Sequence, residues 1–494
     1  MRLGELVEQM RDAEADGTDD PGILGIACDS REVRPGFLFA AIPGNRDDGS
    51  QYVRDAIERG AAALLLAGPP AVPVSVPFVV ARDVRKALGE AVDAFYDHPS
   101  RSLDLIGVTG TNGKTTTAYL VRHMLNHAGR RCGMLGTIEY DLGDKLETAP
   151  LTTPDAVRFT RGLAEMRDFG CVAAVVEVSS HALDQRRAWP HRFAAAVFTN
   201  LTRDHLDYHG DMESYLEAKR RLFSGLDDRA VSVVNYADPA AKKMIAGTAS
   251  RVLGYTLRGG EDTAAPEGAL TAEITASDLS GQTFEVVGYD LDGSYRTPLV
   301  GRHNVENCLG AMLAVSGLGL GKTAIAHALT DFPGVPGRLE RIEADDGRMA
   351  FVDYAHTDDA LRSVLSVLRP LVRGNLITVF GCGGDRDPGK RPMMARAAEE
   401  FSDHIVVTSD NPRTEGPEKI IGDIMAGFVR PECVSVDADR AGAIASAVGM
   451  ANLGDAVLVA GKGHEDYQIV GTEKHHLDDR ELVREAFLAS RRGV

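Results

Sequence analysis

At 494 residues the chain is too long for one domain and, at ~150 residues each, holds about three. A content of 44% hydrophobic and 26% charged residues is that of a globular protein in water, and a net charge of -18 excludes nucleic acid and anionic membrane surfaces as general partners while leaving anionic substrates open to a local field. Six cysteines (Cys28, Cys132, Cys171, Cys308, Cys382, Cys433) stand singly with no CxxC pair, the Met1–Leu6 stretch is charged, and no apolar run nears the ~20 residues of a membrane span, so a reducing cytoplasm without signal core or membrane insertion is predicted.

Residues 1 to about 98 read as a small α/β unit, with strands at Gly25–Cys28, Phe37–Ile42, Ala63–Leu66 and Pro77–Val80, a helix at Val84–Tyr96 and a linker at His98–Ser100. Asp29-Ser30-Arg31 follows the first strand, where polar groups either hold a ligand or make a plain surface turn.

A second unit runs from 99 to 334. The apolar run Leu103–Val108 predicts a buried strand, Ala118–Leu125 a helix, and between them lies Val108-Thr-Gly-Thr-Asn-Gly-Lys-Thr-Thr-Thr117. Strand, glycine-rich turn, Lys-Thr and helix is the arrangement that cradles phosphates, because glycines let backbone N–H groups approach the oxygens and the helix start adds a positive field. Lys114 is expected on the terminal phosphates and the Thr115 hydroxyl on Mg²⁺; the generic pattern wants glycine where Val108 stands and finds it at Gly110. The alternative is an ordinary strand-to-helix turn.

Val172–Val178 and Ala194–Leu201 are continuous apolar runs, as in strands buried on both faces of a parallel sheet, and each ends in polar residues: Ser179-Ser180-His181, and Thr202 to His209. Glu177 inside the first run needs a cation, a cleft or an ion pair. His205, Asp207 and His209 have ligand-like chemistry and equally suit helix caps. On the predicted helix Tyr215–Phe223, Lys219 shares a face with both end residues; it is either a snorkelling stem or a functional amine, and spacing does not separate the two. Glycine-rich short strands from Gly254 to Pro298 predict an antiparallel insertion, Gly301–Asn307 leads into an Ala-rich helix, and Phe332-Pro-Gly-Val-Pro-Gly-Arg338 is a linker.

The third unit, 335 to 494, alternates strands and helices such as Ala438–Ala451. Four strand ends carry polar clusters: Phe351–Asp353 with Tyr354-Ala-His356, Ile377–Phe380 with Gly381 to Asp387, Ile405–Thr408 with Ser409 to Arg413, and Val457–Ala460 with Gly461 to Asp466. A right-handed parallel sheet with a crevice at its strand C-terminal edge follows. Acids together with Arg suit a zwitterionic ligand; four routine βα loops are the alternative. The predicted class is therefore α/β in three domains: a small N-terminal α/β domain, a central P-loop-type, mostly parallel sheet and a C-terminal Rossmann-like sheet.

Taken together, Gly110-Thr-Asn-Gly-Lys-Thr-Thr116, Glu177-Val-Ser-Ser-His181, Asn200-Leu-Thr-Arg-Asp-His205, the Tyr215–Phe223 helix, His303-Asn304, Gly337-Arg338 and Asp353-Tyr-Ala-His356 resemble the Mur ligases, the family that builds the peptide stem of peptidoglycan, across essentially the whole chain. Asp410-Asn-Pro-Arg413 resembles the members that add diaminopimelate; lysine-adding relatives lack Arg at the last position.

The resemblance implies ATP-dependent formation of an amide between meso-diaminopimelate and the D-glutamyl γ-carboxylate of UDP-N-acetylmuramoyl-L-alanyl-D-glutamate. A domain of residues 1–98 would hold the UDP end, with Ser30 its best candidate, and Thr152, Thr153, Ser179, Gln185 and Arg187 would hold the muramoyl-dipeptide. In domain 99–334, Gly110, Thr111, Asn112, Gly113, Lys114, Thr115 and Thr116 would bind ATP, with Asn304, Arg338 and Asp353 reaching it from the seam. Thr115, Glu177, His205 and Lys219, carbamylated by CO₂, would hold Mg²⁺, and Lys114, Glu177, His205 and Lys219 would be the catalytic set. In domain 335–494, Arg386, Asp410, Asn411, Pro412, Arg413, Gly461 and Glu465 would hold diaminopimelate. Leu151 stands where relatives often have Asn, and Asp358 where they usually have Pro; the latter is expected to touch a helix start.

Charge dictates the expected mechanism. ATP phosphorylates the poorly electrophilic carboxylate, and the acyl phosphate accepts the amine. Arg413 offers a planar fork to the distal carboxylate, and Asp410 and Glu465 accept the distal ammonium. Lysine lacks that carboxylate and would leave Arg413 unmatched. Closure between second and third domains and a monomer are expected. Two rivals differ: a lysine-adding or folylpolyglutamate-type ligase, against which Asp410–Arg413 speaks, and a nucleotide-gated switch, which needs no second acid- and Arg-rich site.

Overall fold

The structure is a computed structural model that describes residues 1–16, 19–44, 48–259 and 266–490; residues 260–265 of the glycine-rich stretch lie outside them. The described chain divides into two compact units, one of Met1–Thr271, Val287–Leu291 and Glu306–Ala328, the other of Ala272–Val286, Asp292–Val305 and Leu329–Val494.

The first unit carries two sheets. Strands β1 (Ala13–Asp16), β2 (Gly25–Ala27), β3 (Phe37–Ala40), β4 (Ala63–Leu66) and β5 (Phe78–Ala81) lie in the order β1-β5-β4-β3-β2. The four predicted strands are parallel neighbours, and β1 adds antiparallel to the edge. β1 gives no sequence signal because it is short and mostly exposed. The helix Val84–Phe95 is capped by the Asp83 side chain, which accepts from the Lys86 N–H, and packs Val84, Leu88, Ala91 and Val92 onto Leu38, Leu65 and Val79.

The central strands are β6 (Asp104–Thr109), β7 (Cys132–Leu135), β8 (Glu139–Asp141), β9 (Leu146–Thr148), β10 (Ala173–Glu177), β11 (Ala195–Phe198), β12 (Val231–Asn235) and β13 (Arg251–Leu257), in the order β13-β12-β11-β6-β10-β7-β8-β9. From β13 to β7 every pairing is parallel; β8 and β9 are antiparallel. β10 and β11 are buried at every position, as their unbroken apolar runs require.

One expectation is corrected here. The antiparallel insertion does not begin at Gly254, because Arg251–Leu257 pairs parallel with β12. At Gly254 an added Cβ would run into the Tyr236 ring, so glycine is required by close approach. Further along the stretch lie β14 (Leu270–Asp278), β15 (Gly281–Val287) and β16 (Gly293–Thr297), and β15 pairs antiparallel with β16.

The second unit holds β17 (Glu340–Glu343), β18 (Met349–Asp353), β19 (Leu376–Phe380), β20 (His404–Val407), β21 (Val434–Val436) and β22 (Ala456–Ala460), in the order β17-β18-β22-β19-β20-β21. All are parallel except the edge strand β17. β18, β22, β19 and β20 are contiguous, so the four polar strand ends share one edge. A hairpin of β23 (Tyr467–Val470) and β24 (Glu473–His476) follows; its strands are only four residues long and β24 is polar and exposed, so neither announces itself in sequence. No helix among the described residues is long and apolar enough to cross a membrane.

Candidate active site

The glycine-rich turn sits as predicted between β6 and the helix Lys114–His127. Gly113 takes φ +85° at the helix N-cap, and Gly110 has φ +152° with an added Cβ meeting Thr199; both positions exclude side chains. Neighbouring strand ends hold the loop: Thr111 N–H donates to Asn200 O (2.8 Å), Asn112 N–H to Asn200 Oδ1 (2.9 Å), and Thr199 Oγ1–H to Asn112 O (2.6 Å).

Two ammonium groups converge on one carbonyl. Lys114 Nζ donates to Gly110 O (3.0 Å) and Thr111 O (2.8 Å), and Lys219 Nζ donates to the same Gly110 O (2.8 Å). Lys219 is 1% exposed and lies 4.6 Å from the Tyr215 ring centre. Burial, then repulsion from Lys114, pushes its pKa well below that of an ordinary lysine. A snorkelling stem keeps its head in water, so the structure decides between the two readings of this lysine in favour of a perturbed amine.

Glu177 is fully buried at the end of β10. Its Oε2 accepts from Thr115 Oγ1 (2.9 Å) and Thr137 Oγ1 (3.0 Å), and its Oε1 accepts from Thr137 N–H (2.8 Å). These partners are neutral. A buried carboxylate held by hydroxyls and an amide, without a cation among them, suits a divalent metal. Sequence reasoning missed Thr137, although a polar residue just past the end of β7 was the available signal. His205, at φ +52°, leads into the helix Leu206–His209 and packs its ring 4.9 Å from His181, which is 5.4 Å from His209. The His205–Asp207–His209 cluster is thus centred on His181, with Asp207 exposed. Among the described residues, no three His, Cys, Asp or Glu side chains form a metal-ligand group by themselves.

The residues expected to hold the muramoyl-dipeptide form one net. Thr153 Oγ1 donates to Glu177 O (2.6 Å) and accepts from Ser179 N–H (3.0 Å); Arg187 donates to Thr153 O (2.8 Å) and Gln185 Oε1 (2.7 Å); Thr137 Oγ1 lies 3.2 Å from Thr152 Oγ1. Leu151 offers its carbonyl to Tyr140 OH (2.6 Å), a contact its side chain does not affect. Ser30 is buried in the first turn after β2, where its hydroxyl lowers the Asp55 pKa. Just past the ends of β3, β4 and β5, Pro43, Ala67 and Arg82 line a cavity of about 510 Å³ with Arg85, Lys86 and Arg186, set against Asp12 and Asp83.

In the second unit, Asp353 accepts N–H donors from Leu339 (2.7 Å) and Ala355 (2.8 Å); burial raises its pKa, and Arg338 opposes that. The Arg338 guanidinium lies 5.1 Å from the Tyr354 ring centre. Asn304 Nδ2 donates to Val300 O (2.8 Å) in the helix start. Asp358 begins the helix Asp358–Leu368 behind the cap residue Thr357, as expected. His464, which the sequence reading places in the Gly461–Asp466 cluster without a role, faces Tyr354, and burial pushes its pKa down to about 4.

The strand ends of β20 and β22 meet. Gly461, at φ +122°, leaves room for Asp410: an added Cβ would lie 2.7 Å from Asp410 Oδ2. Asn411 Nδ2 donates to Glu465 Oε2 (3.1 Å). Arg413, at φ +52°, donates to Gly384 O (2.7 Å) and is clamped by the hairpin: its N–H donates to Ile469 O (3.1 Å) and its carbonyl accepts from Gly471 N–H (2.8 Å). Pro412 is buried, whereas Arg386 is exposed and reaches Arg413 only across Gly383. Burial raises the Glu465 pKa, against the Asn411 hydrogen bond. The second unit therefore brings together six of the seven residues expected around the amino acid, with Arg386 at their margin.

Three family profiles match in succession: "Mur ligase family, catalytic domain" over residues 22–96, "Mur ligase middle domain" over 108–315, and "Mur ligase, glutamate ligase domain" over 337–463. The chain is 44% identical to the UDP-N-acetylmuramoyl-L-alanyl-D-glutamate–2,6-diaminopimelate ligase of Geobacter metallireducens, covering 99% of this chain and 98% of that one. It is 46% identical to the enzyme of the same name from Gloeobacter violaceus, covering 100% and 99%. Among solved structures, one of a ligase of that name superposes with a TM-score of 0.71 at 35% identity, covering 95% of each chain. With this identity along its full length, the chain belongs to the Mur ligase family.

Proposed function

We propose that the protein joins meso-diaminopimelate to the D-glutamyl γ-carboxylate of UDP-N-acetylmuramoyl-L-alanyl-D-glutamate, with conversion of ATP to ADP and phosphate. The observation that carries the reading of the amine is the placement of Arg413: it is locked in a left-handed turn in the same strand end as Asp410, after β20, and Glu465, after β22, is tied to that strand end through Asn411. A planar fork and two acids match a distal carboxylate and a distal ammonium on one carbon.

Each residue's role follows from its chemistry. Lys114 and the backbone of 110–116 hold the triphosphate, and Asn304, Arg338 and Asp353 contact the nucleotide. Thr152, Thr153, Ser179, Gln185 and Arg187 hold the dipeptide carboxylates and amides. The cavity lined by Arg82, Arg85, Lys86 and Arg186 takes the diphosphate of the UDP end, and Ser30 contacts the same end of that substrate; cations in the first turn of a helix oppose its dipole, a cost an anion offsets. Thr115, Glu177, His205 and a carbamate on Lys219 suit Mg²⁺, which when bound neutralises phosphoryl charge. The lowered pKa of Lys219 favours the neutral amine that adds to CO₂, forming an N–C bond and releasing a proton. The γ-carboxylate oxygen attacks the γ-phosphorus of ATP, and the amine then displaces phosphate from the acyl carbon. We assign the roles to domains 1–98, 99–334 and 335–494 of a monomer in the cytoplasm, a setting that six free thiols favour.

Arg413→Ala tests the reading. It should raise the KM for meso-diaminopimelate by about 100-fold, the size of a lost charged bidentate contact, and leave the KM for ATP unchanged. An equal rise in both overturns it.

A further inference from the structure

Lys462 has no role in the reading above, yet it is 0% exposed. A buried ammonium is costly unless its donors are used. Here Nζ donates to Tyr467 O (2.6 Å), the first residue of the hairpin, and to Asn411 Oδ1 (3.0 Å). Asn411 Oδ1 also accepts from Ile469 N–H (2.9 Å). Both partners of that oxygen can only donate, so the amide has one allowed orientation, with Nδ2 turned to Glu465 Oε2 (3.1 Å). The same hairpin holds Asp410 O through Gln468 Nε2 (2.6 Å) and clamps Arg413 on both sides of its backbone. The network thus reaches Glu465 through Asn411, Asp410 through Gln468, and Arg413 through Ile469 and Gly471.

We propose that Lys462 is a positioning residue for the amino-acid substrate: its ammonium ties the strand end Asp410–Arg413 to the hairpin Tyr467–His476 and fixes the direction in which Glu465 and Arg413 face the distal amine and carboxylate. The inference rests on the proposed function. Its position also explains why an ammonium serves here. It meets two neutral acceptors at one point; burial lowers its pKa and Arg440 adds to that, while Asp410, Asp479 and Glu465 oppose it.

The test is steady-state kinetics of the full chain with UDP-muramoyl-dipeptide, ATP and either meso-diaminopimelate or L-lysine. Lys462→Met should raise the KM for meso-diaminopimelate about 10- to 100-fold, as expected for lost hydrogen bonds from a charged group, leave the KM for ATP unchanged and erode the preference over lysine. Lys462→Gln, which keeps a donor for Asn411 Oδ1, should recover part of that loss. Gln468→Ala removes a brace of the same clamp without touching the buried lysine, so it reports even if both lysine variants fail to fold; it too should act on the amine KM alone. Parallel rises in the KM for ATP and the amine, an unmoved amine KM in Lys462→Met, or a Gln468→Ala enzyme with wild-type amine kinetics would each overturn the inference. Failure of the wild-type chain to use meso-diaminopimelate would instead overturn the function on which it rests.

Discussion

Lys219 shows what a single residue reveals only when folded. Its spacing on the helix allowed a snorkelling stem; the structure buries the ammonium on a carbonyl that Lys114 already occupies. Replacing it with Ala should cut kcat at least ~100-fold, the scale for losing a principal electrostatic group, while thermal denaturation shows a folded protein. Near-normal turnover would remove Lys219 from the mechanism. Glu465 yields a pH dependence. Its pKa is raised by burial, so the protonated acid persists to higher pH than in an exposed glutamate. The ionised form accepts the ammonium; the KM for the amine should therefore rise as pH falls through that raised pKa, and Glu465→Gln should flatten the profile. By linkage, the contribution of this group to stability is present in acid and is lost as pH rises through the raised value. A profile identical in wild type and variant would exclude Glu465 from amine binding.

At the scale of elements, strand ends carry the function. β6, β10 and β11 are adjacent and parallel, which brings the glycine-rich turn, Glu177-Val-Ser-Ser and Asn200 to one edge. β18, β22, β19 and β20 do the same for Asp353, Gly461, Gly381 and Asp410. These strands were legible because a parallel strand buried on both faces is an unbroken apolar run, and polar residues after it stand out. The rest was hidden for physical reasons. β1 and the hairpin β23–β24 are short and mostly exposed, so no periodicity marks them. The reason for glycine at Gly254 was hidden because a sequence does not show the Tyr236 ring that excludes a side chain there. Thr137 meets Glu177 and Lys462 meets Asn411, partners distant in the chain. The helix start at Val84 adds a test: Arg82→Ala with Arg85→Ala, at the rim of the basic cavity, should raise the KM for the UDP substrate about 10-fold or more and spare that for the amine. No change would remove the diphosphate from this cavity.

For the whole molecule, the proposed reaction joins an activated carboxylate to an amine chosen by its far end. Family membership fixes the class of chemistry, and the choice of amine rests on Arg413, Asp410 and Glu465. The most direct measurement is mass analysis of the product formed from UDP-N-acetylmuramoyl-L-alanyl-D-glutamate, ATP and equimolar meso-diaminopimelate and L-lysine. The account predicts the diaminopimelyl product almost alone; a lysyl product in equal or greater amount would contradict it.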